Sequence, residues 1–190
     1  MTAAELVGSM TYAEYLALER ESETKHEYAN GRVHAMAGGS PEHARLAMRL
    51  GAQLLTSLGE RPCEVFNSDL RVRVVETGRS TYPDVTVICG EVQRPPDDEQ
   101  AATNPILIVE VLSESTETQD RGEKWRHYQR LASLRTYVLV SQTEARVEVF
   151  RRVGDVWQYE AAGAGDRVRL DEDGLVLDVD ALYRNKLASE

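Results

Sequence analysis

The 190-residue chain predicts a mixed α/β (α+β) fold, with a central mixed β-sheet carrying helices on both faces. Three observations lead there. The run Ile106-Leu107-Ile108-Val109-Glu110-Val111-Leu112 is apolar without alternation except for one acid, the pattern of a strand buried on both faces. Ser40-Pro41 followed by Leu46, Leu50, Leu54, Leu55 and Leu58 marks a long amphipathic helix with a capping serine and a proline in its first turn. Asn30-Gly31 between two short runs with strand character is a type I′ hairpin signal.

The remaining elements follow in order. Thr11-Tyr12-Ala13-Glu14 is a capping box that opens a helix ending near residue 20. After the hairpin and the Ser40 helix, strands are expected near residues 63–66, 69–75, 84–88 and 106–112. Residues 90–105, with Pro95-Pro96 and the acidic run Asp97-Asp98-Glu99, read as a surface loop. A helix is expected over 119–132, then a hairpin of strands at 136–141 and 146–152 that residues 157–161 extend. Asp178 is placed to cap a last short helix through Tyr183. Nothing repeats and no linker interrupts the pattern, so residues 1–190 read as one domain.

Composition narrows the function classes. At 42% hydrophobic and 28% charged, the chain can bury a substantial core and is not disordered in bulk. No stretch approaches a membrane span, and the N-terminus lacks the basic-then-apolar layout of a signal peptide, so a cytoplasmic protein without membrane contact is expected. Cys63 and Cys89 form neither a CxxC pair nor a disulfide framework, and read as small apolar residues in a reducing compartment. The net charge of −10 argues mildly against a nucleic-acid partner. Yet the acids concentrate in Asp97–Glu99 and Asp171–Asp173, read as solvated loops, whereas arginines gather at Arg71 and Arg73, at Arg45 and Arg49, and from Arg121 to Arg130.

The chemistry begins with Glu110. An unpaired carboxylate in a buried strand costs several kcal/mol, on the order of the desolvation of an ion, so Glu110 must be paired, protonated or bound to a metal. Asp84, just after Pro83, heads a second apolar run, Val85-Thr86-Val87-Ile88. Two acids at the ends of core strands have the form of a metal site for hydrolysis. In the helix that follows Glu110, Trp125, Tyr128, Leu131 and Ala132 make the apolar stripe, and Asp120 and Lys124 fall in line with Tyr128 at its edge. Lys124 is thus placed either to lean toward Glu110 or to pair with Asp120 one turn away.

Pro83-Asp84, then Glu110-Val111-Leu112-Ser113-Glu114-Ser115-Thr116, then Asp120, Lys124 and Tyr128 resemble the Uma2 endonuclease family of the PD-(D/E)XK nuclease superfamily. The likeness also takes in Met10-Thr11-Tyr12-Ala13-Glu14-Tyr15-Leu16, His26-Glu27-Tyr28-Ala29-Asn30-Gly31, the helix start at Ser40–His43, and the strands around Tyr137–Val140 and Val147–Phe150, nearly the whole chain. PD alone is a trivial dipeptide; the ordered set is specific. The resemblance implies a restriction-endonuclease-like fold and a site at one edge of the sheet. It implies that Asp84 and Glu110, with the Val111 carbonyl, ligate Mg²⁺, for which Mn²⁺ substitutes. Glu27 is an acid near the same site, and Lys124 is a catalytic lysine moved onto the helix. The superfamily's usual lysine position is Leu112 here. DNA as substrate and a homodimer are further implications, and the alternative is a non-catalytic nucleic-acid-binding or assembly module on a degenerate nuclease scaffold.

Each residue also has a plainer role. Asp84 can cap a turn after Pro83, Glu110 can form a structural salt bridge to Arg71 or Arg73, and Glu27 can face solvent beside a tight turn. His43, in a first helical turn, reads as a surface or capping residue, and Ser113, Ser115 and Thr116 as turn and cap residues.

Overall fold

The structure is a computed structural model and describes residues 6–36 and 38–185. The expectation that no leader opens the chain falls in part on residues outside that range. Two six-stranded sheets and a two-stranded ribbon carry the strands, where one central sheet was expected. In the first sheet, β1 (Leu6–Ser9), β3 (Arg32–Ala35), β2 (His26–Ala29), β6 (Arg79–Thr81), β5 (Arg71–Val74) and β8 (Ala101–Ala102) lie in that order. In the second, the order is β12 (Val156–Gly163), β11 (Arg146–Val153), β10 (Thr136–Ser141), β9 (Leu107–Leu112), β7 (Val85–Cys89) and β4 (Cys63–Asn67). The ribbon pairs β13 (Arg167–Arg169) with β14 (Val176–Asp178).

The capping signals set the helices. Helix α1 spans Tyr12–Glu21, with Thr11 and Glu14 forming the reciprocal capping box. Helix α2 spans Pro41–Leu58, and the Ser40 hydroxyl accepts from the His43 amide. The hairpin turn has Asn30 at φ 50° and Gly31 at φ 85°, the left-handed pair a type I′ turn requires. Asp178 caps the last helix, α4 (Val179–Tyr183), by accepting from the Ala181 amide.

The second sheet is mixed for a reason that bears on the site. β9 and β10 are parallel, whereas their other neighbours are antiparallel. A parallel pair needs a crossover long enough to return the chain to the starting end, and such a crossover lies on a sheet face. That crossover is α3, residues 117–128: a turn at Glu117–Gln119, a π-helical turn at Asp120–Lys124 and an α-helical turn at Trp125–Tyr128. The regular helix expected to reach residue 132 stops four residues earlier and contains the π turn, which brings both Asp120 and Lys124 to the buried side.

Alternation in β9 divides the core in two. Leu107, Val109 and Val111 pack with Leu46, Leu50, Leu54 and Leu58 of α2. Ile108 and Leu112 pack on the opposite face with Tyr128, Leu131, Tyr137 and Leu139, joined by Val72 and Val74 of the first sheet. The four α2 leucines are essentially inaccessible, a contribution of about 2 kcal/mol each from burial. Helices therefore cover both faces of the second sheet, as expected. No helix among the described residues is long and apolar enough to cross a membrane.

Two charge and cysteine readings are overturned. Cys63 and Cys89 stand opposite one another in the β4–β7 register and form a disulfide. Their 26-residue separation carried no such signal, because register is a tertiary property. A reducing compartment would hold such a pair as thiols. Asp98, read as part of a solvated acidic run, is buried: its carboxylate takes a bidentate ion pair from Arg71 at 2.7 and 2.8 Å and a hydrogen bond from Tyr12 at 2.6 Å.

Candidate active site

Glu110 sits on the α3 face of β9, between Ile108 and Leu112, and is 3% exposed. β9 lies between β7 and β10, so the acid occupies an interior strand, not the sheet edge expected. Neither Arg71 nor Arg73 reaches it: Arg71 is held by Asp98 and the Tyr82 hydroxyl, and Arg73 stacks 3.5 Å over the Tyr12 ring. Its partners come from the crossover helix. The Tyr128 hydroxyl donates to Glu110 Oε1 at 2.8 Å and Lys124 Nζ donates to the same oxygen at 3.3 Å.

Lys124 is the hub. Its buried ammonium lies 3.1 Å from Glu27 Oε1 and 3.0 Å from Asp120 Oδ1, besides Glu110. The contact toward Glu110 and the helical pair with Asp120, alternatives in the sequence, coexist. Asp120 Oδ1 lies near Nζ without a hydrogen-bonding angle and is buried without a donor. The Glu27 carboxylate, on β2, also receives Arg79 Nη2 at 3.0 Å and the Thr81 hydroxyl, while Arg79 Nη1 reaches Glu123 at 2.8 Å. Glu27 is thus buried and paired, not displayed to solvent.

Asp84 precedes Val85, whose cross-strand partner is Val109, so it stands beside Glu110. Its Oδ2 accepts the Val111 amide at 2.7 Å and lies 3.1 Å from His43 Nε2. Val111 therefore meets Asp84 through its N–H. His43, read as a surface or capping residue, joins the site from the first turn of α2. Ser113, Ser115 and Thr116 bond among themselves at 2.9–3.0 Å, the turn chemistry expected of them.

The electrostatics follow from burial with excess acid. Burial raises the Glu110 carboxyl well above the usual carboxylate range; Lys124 opposes this, and Asp120, Asp84 and Glu27 push further upward. Burial would also raise Glu27, but the Lys124 ammonium and the Arg79 guanidinium bring it down to about 2. For Lys124, burial disfavours the charge, yet Glu110, Glu27 and Asp120 outweigh it and raise the ammonium well above its ordinary value. Burial would lower His43, but the hydrogen bond to Asp84 raises it. The cluster is an ammonium among more acids than it can neutralise alone, and burial favours the protonated form of Glu110.

Two contacts fix the helix that carries the lysine. The Tyr137 hydroxyl donates to the Asp120 carbonyl at 2.9 Å, and Arg121 grips Glu148 of β11 through both Nη atoms at 2.7 and 2.9 Å. Arg121, then Arg146, outweigh burial and hold the Glu148 carboxyl down at about 2, against an ordinary 4.5. A depressed folded-state value stabilises above the ordinary value and is lost as pH falls toward the folded one. Urea midpoints of the wild type and Glu148→Gln should differ at pH 7 and converge at about pH 2–3, in the window this depression defines; a gap constant with pH would exclude the clamp as an ionic one.

The donor set suits a hard divalent cation. All recorded bonds to Asp84 fall on Oδ2 and all those to Glu110 on Oε1, leaving Oδ1 and Oε2 without a protein donor among the described residues. Mg²⁺ takes one or two carboxylates and completes its shell with water and phosphate. Among the described residues, no group of three or more His, Cys, Asp and Glu side chains gathers closely enough to enclose a metal alone.

His43, Arg79, Asp120 and Tyr128 are the neighbours that the candidate set of Asp84, Glu110, Lys124 and Glu27 did not include. The i, i+4 stripe of Asp120, Lys124 and Tyr128 was the available signal for two of them; nothing local marked His43 or Arg79.

Comparison with known proteins gives the family and the fold. An uncharacterized protein of Synechocystis sp., slr1290, is 40% identical over 172 residues, 90% of each chain. A second from the same organism, sll1609, is 38% identical over 146 residues, 77% of this chain and 82% of its own. A crystal structure described as a "putative nuclease belonging to DUF820", from Anabaena variabilis, superposes with a TM-score of 0.74 at 19% identity, covering 92% of this chain and 97% of that one, which shows the shared fold. The family model described as "Putative restriction endonuclease" matches residues 12–180, and with so much of the chain matched the protein belongs to the Uma2 family.

Proposed function

We propose that this chain is a divalent-cation-dependent endonuclease that hydrolyses phosphodiester bonds in DNA, using Mg²⁺ or, in its place, Mn²⁺. The observation that carries the reading is the convergence of Asp84, just before β7, with Glu110 of β9 and Lys124 of α3, beside the apolar cluster that packs β9 against α3. Family membership and the fold shared with a described nuclease support it. Asp84 and Glu110 would hold the cation through their uncommitted oxygens. The chemistry a cation held there would supply is polarisation of the scissile phosphate and a lower pKa for a coordinated water.

The chain's own residues set up the rest. Tyr128 orients the Glu110 carboxyl through Oε1, and the Val111 amide and His43 orient Asp84. Glu27 and Asp120 keep Lys124 charged and directed at Glu110, where its ammonium offsets negative charge developing on the phosphate. Arg79 holds Glu27 in turn. No covalent intermediate is required. In this reading the enzyme works in the cytoplasm, where the facing Cys63 and Cys89 would be held as thiols, and pairs as a homodimer, the symmetric arrangement that presents two sites to two strands, by analogy with the superfamily.

The second reading, a non-catalytic module on a nuclease scaffold, is favoured by Lys124, which occupies the centre of the acids, and by Leu112 at the superfamily's usual lysine position. Calorimetric titration with Mn²⁺ separates the two without a substrate. The enzyme reading expects binding by the wild type that drops at least about tenfold in Asp84→Ala, as loss of a ligand does. Equal binding by both proteins would remove Asp84 from the site, and no binding by either would favour the scaffold.

A further inference from the structure

The sequence concentrates arginine in three places, and the fold uses most of it internally. Arg71 and Arg73 are buried. Arg45 and Arg49 donate to backbone carbonyls in and just after α4. On α3, Arg121 is clamped to Glu148. Arg126 and Arg130, one turn apart, remain exposed. Arg126 makes no hydrogen bond or ion pair among the described residues, and Arg130 approaches only Glu76, at 3.7 Å between two side chains more than 60% exposed.

These two guanidinium groups meet a third across a cleft. Arg152 of β11 lies 4.6 Å over the Trp157 ring and donates to the Gln129 carbonyl at 2.6 Å. Arg126, Arg130, Arg152 and Trp157, with Gln129 and Gly154, line a surface cavity of about 460 Å³. Burial, with the nearby Arg135, disfavours the charge on Arg152, and Asp155 on the rim is the acid that offsets it. Arg126 in α3 and Arg130 just past its end carry like charges close together, an arrangement that gains most when an anion arrives. In a chain of net charge −10 this is a local reversal of sign.

The cleft shares a sheet face with the acid cluster. Glu148, Phe150 and Arg152 alternate onto one face of β11; Glu148 is paired with Leu139, and Leu139 with Glu110. The segment that turns Lys124 inward to Glu110 turns Arg126, and Arg130 just past the helix end, outward. We propose that this cleft docks the phosphodiester backbone of a DNA duplex, with the three guanidinium groups on phosphate oxygens and Trp157 as the apolar wall. It rests on the nuclease reading for the identity of the polyanion.

Arg152 also caps the end of α3, so it is a poor probe, whereas Arg126 and Arg130 have no packing role to lose. The test is fluorescence anisotropy of a labelled duplex of about 20 base pairs, in EDTA so that nothing is cleaved, across a range of salt. Arg126→Glu/Arg130→Glu should bind at least about tenfold more weakly and lower the slope of log K against log salt by about 2. Arg94→Glu, on the exposed loop before β8, is the control for bulk charge and should change neither. Wild-type affinity in the double variant, equal loss in the control, or no duplex binding by the wild type at low salt would each overturn the proposal. Mn²⁺ calorimetry on the same proteins keeps the two readings apart. Metal binding without duplex docking leaves the site and removes the cleft; docking through the cleft without metal binding keeps the cleft and removes the nuclease.

Discussion

Glu110→Gln is expected to fold as the wild type does and to lose DNA cleavage by at least about 100-fold, the scale on which one transition-state-stabilising group acts. The two halves of the expectation have one origin. Burial favours the neutral form of the Glu110 carboxyl over the anion, so an amide of the same shape mimics the form the core prefers. The amide oxygen still accepts from Tyr128 and Lys124, and the stability change should stay below about 1 kcal/mol because no buried donor loses its partner. A divalent cation calls for a carboxylate anion, which an amide, a neutral and weaker ligand, cannot supply. Thermal unfolding and nicking of supercoiled plasmid in Mn²⁺ check the two halves separately. Undiminished nicking by a folded variant would exclude Glu110 as a ligand; a large loss of stability would mean that the carboxylate is ionised and structurally paired.

Much of this geometry was legible because it rests on local rules. The Thr11–Glu14 box, Ser40-Pro41 and Asn30-Gly31 each demand a backbone conformation that no distant contact needs to supply, and the elements they start appear where expected. Glu110 was legible for the opposite reason: an acid in an apolar strand violates the local pattern, and such violations concentrate at sites. What the sequence did not show depends on partners far along the chain. β6 and β8 are three and two residues long, too short to display alternation, and they exist by pairing with β5. Because β6 was not foreseen, neither was Arg79, which it carries beneath Glu27.

Three misreadings share a cause. His43 was assigned to the surface or a capping role from its place in a first helical turn, but that turn of α2 packs against Asp84, a contact between residues 41 positions apart. Asp98 was assigned to solvent from its acidic neighbours, but Arg71 is buried across from it and cannot remain unpaired. Cys63 and Cys89 were read as small apolar residues outside any disulfide framework, but the β4–β7 register sets them face to face. Composition reports on what a residue prefers, and in each case one specific long-range partner outweighed the preference. The π turn at Asp120–Lys124 belongs with them. Periodicity of 3.6 residues foresaw that Asp120, Lys124 and Tyr128 align, but not that the helix would widen to bring two of them inward.

Lys124→Met is expected to cost about 3 kcal/mol of stability, or roughly 6–12 °C in Tm for a chain of this size. The ammonium is the cation closest to Asp120 and one of two beside Glu27; Arg79 remains for Glu27, whereas nothing replaces Lys124 at Asp120. Methionine fills the volume, so the loss is electrostatic and not a cavity. The response to Mn²⁺ then decides what the acids are for. A cation at 100 times its Kd adds about 2.7 kcal/mol to a folded protein that binds it. With the ammonium gone, the carboxylates present one more uncompensated charge, so Mn²⁺ should raise the Tm of Lys124→Met further than that of the wild type while cleavage stays lost. That combination would make Lys124 a catalytic group that also holds the acids together. If Mn²⁺ instead leaves the variant's Tm unchanged, the acids serve only the lysine, the cluster is a buried ion network, and the scaffold reading stands.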